Sequence, residues 1–240
     1  MSHDITVSDL KIMSGAVNYR RWLFKQVMPF VGRRVFEIGA GIGNYTEFLL
    51  DCELVICLEI HPEAASSLRE RFASKAHILV YQGDIADPSF RSLAKHQCET
   101  ALCFNVLEHV RDEVVALENI WHILAPGGRL LLIVPAIPAL MGTVDRSLGH
   151  YRRYTCTSLR SALVAAGYQI EHISYMNLLG IFGWLWNNRI IKRREESPAQ
   201  IIFYDRFIVP WLSRLERLFH PPVGLSLICI AKTPITRDNE

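Results

Sequence analysis

The sequence predicts an α/β fold built on a mostly parallel sheet with helices on both faces. Short apolar runs of strand length alternate with helix-spaced apolar stripes along most of the chain. The first run, Arg34-Val35-Phe36-Glu37-Ile38, passes straight into a turn with glycine at every second position, Gly39-Ala40-Gly41-Ile42-Gly43. A later run, Arg129-Leu130-Leu131-Leu132-Ile133-Val134-Pro135, is apolar on both faces, as a central parallel strand is.

With 240 residues, the chain suits a single domain over 1–240 that carries a sizeable insertion. Lys and Arg total 26 against 24 Asp and Glu, so the charge balance makes no case for nucleic acid as a partner. The six cysteines form no C-x-x-C pair, and Cys57, Cys103 and Cys229 sit in strand-like runs. Buried free thiols in a reducing compartment are expected. The start, Met1-Ser2-His3-Asp4, lacks the basic flank and apolar core of a signal peptide. No run reaches the roughly 18 apolar residues of a membrane span. A cytoplasmic protein is expected.

Residues 18–31 carry Tyr19, Trp22, Leu23, Val27 and Phe30 at helical spacing, so a helix precedes the first strand and completes an N-terminal cover over 1–31. The strand at 34–38 and its glycine turn are followed by a helical pattern from Tyr45 to Leu50. A second strand over 54–58 ends in Glu59, then Ile60 and His61, and Pro62 opens a helix running to residue 72. An acid at this strand tip can accept both hydrogen bonds of a ribose diol, and Glu59 stands 20 residues beyond Gly39, the separation that role expects. The third strand, 77–81, leads into Gly83-Asp84-Ile85, and the fourth, 100–104, ends at Asn105. Val106-Leu107-Glu108-His109 follows, then a helix with Val114, Leu117, Trp121 and Leu124 on one stripe. Ala125-Pro126-Gly127-Gly128 is expected as the turn that ends it, before the strand at 129–135.

Beyond the fifth strand, a loop gathers Asp145, His150, Tyr151, Arg152, Arg153 and Tyr154 at the carboxyl end of the sheet, where open α/β sheets bind ligands. A helix over 158–166 and a sixth strand over 168–175 follow. The last strand is expected at 225–231. Between these two strands, residues 176–224 hold Trp184, Trp186, Phe203, Tyr204, Phe207 and Trp211, a charged stretch at 192–196, and an apolar helix broken by Pro210.

Five motifs thus stand in order: E-x-G-x-G-x-G from Glu37 to Gly43, Leu58-Glu59, Gly83-Asp84, Asn105-Val106-Leu107-Glu108-His109 and Leu124-Ala125-Pro126-Gly127-Gly128. Together they resemble the class I S-adenosylmethionine-dependent methyltransferases of the broad small-molecule type (methyltransferase type 11/12-like), over residues 20–177 and the last strand. The resemblance implies a Rossmann-like sheet of seven strands with an antiparallel last strand, plus a helical, aromatic-rich insertion between the last two strands. It implies S-adenosyl-L-methionine as cofactor, held by Glu37, Gly39, Gly41, Gly43, Glu59, Ile60, Asp84, Ile85 and Asn105. In that family the acid after the third strand faces the adenine amino group and the next apolar residue covers the ring. Tyr19 comes from a helix that commonly covers the cofactor.

For the acceptor side, His150 is the candidate general base because its ordinary pKa lies near neutrality, with His109 second. Tyr19, Tyr151, Arg152, Arg153 and Trp184 are candidate substrate contacts. Arg152 and Arg153 suit an acidic or phosphate-bearing substrate, the alternative being salt bridges to a nearby helix. No cluster shows metal-ligand spacing, so a metal-independent transfer to O, N or C of a small or lipid-like acceptor is expected, with S-adenosylhomocysteine as product. The insertion reads as a lid or a homodimer contact, and less readily as a peripheral membrane contact. Two other functions share parts of the pattern. One is a nicotinamide-dependent oxidoreductase, although Asn44 stands where the dinucleotide turn G-x-G-x-x-G has its last glycine. The other is a non-catalytic methyltransferase-like subunit that binds a partner through the aromatic insertion.

Overall fold

The computed structural model describes residues 10–187, 197–219 and 221–236. Its centre is one seven-stranded sheet in the order β3-β2-β1-β4-β5-β7-β6. The strands are β1 (Arg34–Ile38), β2 (Leu54–Glu59), β3 (Ile78–Gln82), β4 (Cys98–Phe104), β5 (Leu124–Pro135), β6 (Gln169–Met176) and β7 (Ser226–Lys232). Strands β1 to β5 run parallel, while β7 lies antiparallel to both neighbours. The chain therefore reverses direction outward from β1, and the carboxyl tips of β1, β2 and β4 share one edge of the sheet.

Side-chain alternation builds two cores. On β4 and β5, Ala101, Cys103, Leu130, Leu132 and Val134 face one layer, and Leu102, Phe104, Leu131 and Ile133 face the other. The first layer packs against α3 (Glu113–Ile123) and α5 (Cys156–Ala165), the second against α1 (Val17–Val27), α2 (Pro62–Arg71) and α8 (Val209–Leu218). Cys57, Cys98, Cys103 and Cys229 are buried free thiols, and Cys52 and Cys156 are free and half-buried.

Four local expectations are corrected. The pattern at Tyr45–Leu50 gives one 3₁₀ turn (Thr46–Phe48) rather than an α-helix. Only ten residues separate Gly43 from Leu54, and the steeper 3₁₀ rise covers more distance per residue. The Pro126-Gly127-Gly128 stretch is not a separate turn. It bulges inside β5, which pairs Cys98 with Leu124 and then Thr100 with Arg129. The helix before β1 stops as α-helix at Val27 and finishes as a 3₁₀ turn, because Pro29 lacks the N–H that an α-helical bond would use. Pro210 does not break its helix. The chain stays helical from α7 (Pro198–Phe203) through a π-turn (Tyr204–Ile208) into α8, the widened turn absorbing the missing Pro210 donor.

The insertion is bolted to the rest of the chain. Asp205 accepts from the Tyr19 N–H (2.7 Å) and Asn18 Nδ2 (3.2 Å) at the start of α1. Glu216 on α8 accepts from the N–H groups of Asn177 (2.9 Å) and Leu178 (2.8 Å), where the chain leaves β6. Asn177 sits at φ +64°, and its side-chain oxygen accepts from Tyr204 Oη at 2.6 Å. The charged stretch 192–196 and the end of the tail at 237–240 lie outside the described residues. No helix among the described residues is long and apolar enough to cross a membrane.

Candidate active site

The glycine turn at the tip of β1 is folded by backbone need first. Gly39, Gly41 and Gly43 all have positive φ (+67°, +56° and +87°), where a Cβ is strained. A Cβ would also meet Val106 at Gly39, Leu10 at Gly41, and Phe72 and Leu68 at Gly43. The glycines therefore let the N-terminal segment, the β4 loop and α2 close down on the turn. Leu10 lies over Gly41, and its carbonyl accepts from Asn44 Nδ2 at 2.9 Å.

Two carboxylates stand beneath this turn. Glu59 is buried (4% exposed); its Oε2 accepts from the Gly41 N–H at 2.7 Å and its Oε1 from the His61 N–H at 2.9 Å. Each oxygen keeps a further lone pair, so the site fits a ribose diol. Glu37 faces the α1 layer and accepts from Thr46 Oγ1 at 2.6 Å. Burial pushes its pKa up to about 7, against the pull of the Thr46 and Cys57 hydrogen bonds. Asn105, at φ +52° on the tip of β4, is exposed. Ile60 is 51% exposed, and Asp84 is exposed with Oδ1 accepting from the Ala86 N–H. Ile85 departs from expectation: it is packed in the core layer shared with α3 and is 4% exposed, rather than standing open over the cleft. Exposed Ile60 stands on that edge instead. This set, with a buried acid, a half-exposed apolar residue and exposed polar groups at adjacent strand tips, fits an adenosyl cofactor.

The loop after β5 closes on itself through a bridge between Ala136 and Tyr154, with Ile137 at φ +60°, a strained setting for a β-branched residue. Its hub is Asp145 on α4 (Thr143–Ser147), fully buried. Asp145 Oδ1 accepts from His150 Nδ1 (2.9 Å) and Arg153 Nε (2.8 Å), and Oδ2 from the Gly142 N–H (2.8 Å). Burial opposes its charge, but these bonds and the Arg153 charge outweigh it and hold the carboxyl below its usual range. Bonding at Nδ1 leaves His150 Nε2 as the lone-pair nitrogen.

Arg153 does not point to an anionic substrate. It is buried, also donates to the Ala136 carbonyl at 2.9 Å, and lies 4.5 Å from the Trp184 ring centroid. Arg152 pairs with Glu113 on α3 at 3.1 Å and donates to the Arg111 carbonyl. Both arginines thus take the ion-pair role that the sequence left open beside substrate binding. Trp184, on α6 (Gly180–Leu185), donates to the Leu140 carbonyl at 3.2 Å and so joins the insertion to this loop. Tyr151 is exposed, its N–H held by the Glu108 carbonyl at 2.8 Å. Tyr19 is half-buried, edge-on to Trp22, and its hydroxyl accepts from Asn177 at 3.4 Å, which places it against the insertion.

Three possible ligand side chains that no sequence spacing joins come together in space. Glu108, His109 and His150 place one ligand atom each within 4.8 Å of one another. The two rings meet edge to face with centroids 4.6 Å apart. Spacing along the chain could not show this, because residues 109 and 150 meet only when the β5 loop folds back over the β4 tip. Burial pushes Glu108 up to about 8, and the Arg153 charge opposes it in part. His109 is held well below its ordinary value by burial and by the charges of His150 and His61, while a bond to the Leu148 backbone works the other way.

Residues 36–130 match a methyltransferase-domain family model. A Mycolicibacterium smegmatis protein described as "Probable S-adenosylmethionine-dependent methyltransferase" is 25% identical over 154 residues, which cover 63% of this chain and 56% of the relative. An ornithine lipid N-methyltransferase of Singulisphaera acidiphila is 42% identical over 60 residues, 23% of this chain and 31% of the relative. The chain thus spans about half or less of the length of these curated relatives. The crystal structure of an S-adenosylmethionine-dependent methyltransferase from Mesorhizobium loti superimposes with a TM-score of 0.59 at 16% identity, covering 87% of this chain and 95% of that one. The sheet order and these matches together give residues 36–130 the likeness of a methyltransferase domain, on a fold shared with S-adenosylmethionine-dependent methyltransferases.

Proposed function

We propose that this protein transfers a methyl group from S-adenosylmethionine to a small or lipid-like acceptor. The observation that carries the reading is the buried Glu59, which braces the glycine turn at Gly41 while keeping acceptor capacity for a ribose. The cofactor supplies a methyl activated on a sulfonium, so the chain's own residues have to align the acceptor, exclude water and remove a proton. Glu59 holds the ribose diol, Asp84 meets the adenine amino group, and Ile60 borders the ring. Glu37, through the turn formed by Gly39, Gly41 and Gly43, and Asn105 hold the methionyl end. His150, its proton fixed on Nδ1 by Asp145, offers Nε2 to the acceptor.

With Arg152 and Arg153 engaged internally, the acceptor site favours a neutral reacting group. Tyr151, Tyr19 and Trp184 border it, and the insertion acts as its lid within a single domain. The exposed Phe203, Phe207 and Trp211 on that insertion are where a second copy or a lipid surface would meet the chain. They and the lipid substrate in the name of the Singulisphaera relative support a lipid-like acceptor. Calorimetric titration with S-adenosylhomocysteine tests the reading: one-site binding is expected, and no heat with the product alongside saturable NADH binding would overturn it.

A further inference from the structure

Glu108, His109 and His150 form a constellation that removing protons does not require. Both carboxylate oxygens of Glu108 are buried and have no hydrogen-bond partner, which is costly for a polar group unless something fills the gap. His150 is backed on Nδ1 by Asp145 at 2.9 Å, and the His109 ring meets it edge to face at 4.6 Å. Such backing fixes the His150 tautomer and turns its other nitrogen into a bare lone pair, the arrangement by which outer-shell groups orient metal-bound imidazoles. Asp145 is itself fixed by Arg153 and the Gly142 N–H, so this outer shell is rigid.

We propose that Glu108, His109 and His150 bind a divalent transition-metal ion, with zinc suited best, beside the methyl-transfer site. Two imidazoles and one carboxylate suit zinc, or the iron and manganese class, and leave positions open. Ligands about 2.0–2.1 Å from a tetrahedral ion stand roughly 3.4 Å apart, so atoms now within 4.8 Å close by up to about 1.4 Å on loading. The ion supplies the charge that the orphaned Glu108 lacks. An open position would take water or, on the methyl-transfer reading above, a hydroxyl of the acceptor, whose proton the ion makes more acidic. His150 is then a ligand, and the loaded enzyme does not use it as a base.

The test is calorimetric titration of zinc chloride into the chelator-stripped full chain, repeated with cobalt(II) and its visible absorption bands. One saturable site is expected, weakened at least about 100-fold by His109→Ala, His150→Ala or Glu108→Gln and unchanged by His122→Ala, which removes an exposed histidine on α3. Circular dichroism and S-adenosylhomocysteine binding of each variant report whether it folds. No saturable zinc binding to the wild type, or binding that survives all three ligand substitutions in folded protein, overturns the site. If product binding persists while metal binding is absent, only the metal site fails; if product binding itself is absent, the methyl-transfer reading fails.

Discussion

Glu59 Oε2 accepts the Gly41 N–H at 2.7 Å, so the acid at the tip of β2 fixes the turn at the tip of β1. The two elements commonly read as separate parts of a cofactor site are one hydrogen-bonded unit. The second oxygen does the same for the His61 N–H, which sets the start of α2.

Glu59→Gln should therefore act twice. An amide keeps one acceptor oxygen and loses the charge, so product affinity should fall about 10- to 100-fold, the range of a hydrogen bond to a charged group. Stability should fall by roughly 1–3 kcal/mol as Gly41 or His61 loses its partner. Calorimetry and urea denaturation read the two effects, and unchanged product affinity would remove Glu59 from the ribose site. Gly41→Val is a poorer probe, because φ of +56° and the Leu10 contact make it a folding substitution as well.

Glu37 should make both stability and affinity depend on pH. Its folded pKa is raised from 4.5 to about 7, so its contribution to stability is fully present below 4.5 and is lost as pH rises toward 7. The wild type should lose up to roughly 3 kcal/mol relative to Glu37→Gln between pH 4.5 and 8. A methionyl ammonium favours the ionised acid, so product binding should tighten as pH rises toward 7 and take up less dependence in Glu37→Gln. A parallel pair of denaturation curves at every pH would contradict the burial of this charge.

Removing Asp145 should be severe. Asp145→Ala leaves Arg153 buried without its carboxylate, and breaking such a pair costs about 3–5 kcal/mol. A fall in thermal midpoint of many degrees is expected. A loss under about 1 kcal/mol would mean that Arg153 finds another partner by moving from the Trp184 ring.

Glu216→Gln should loosen the insertion without touching the cofactor edge. The carboxylate holds two N–H groups at the exit of β6, and burial already lifts its pKa against their pull. Faster amide exchange confined to residues near 177–185 and 209–218 is expected, with product affinity unchanged. Uniform exchange across the chain would show that Glu216 does not govern this segment.

The strands, the glycine turn and the acid Glu59 were legible in the sequence because each is a local pattern: alternation of period two, glycine where φ must be positive, an acid at a strand end. Local reading failed where neighbours in space decide. Ile85 turns inward because α3 offers it a core, Pro210 is absorbed because the helix can widen, and Arg153 is claimed by Asp145. His109 and His150 stand 41 residues apart, and no spacing rule joins them. Their meeting needs β4 and β5 side by side and a loop pinned by the Ala136–Tyr154 bridge. The sequence by itself determined the sheet and its glycine-turn edge, since those depend on short-range periodicity. Only the tertiary structure decided the cluster around the loop after β5, because charge pairing and burial act between residues that the chain keeps far apart.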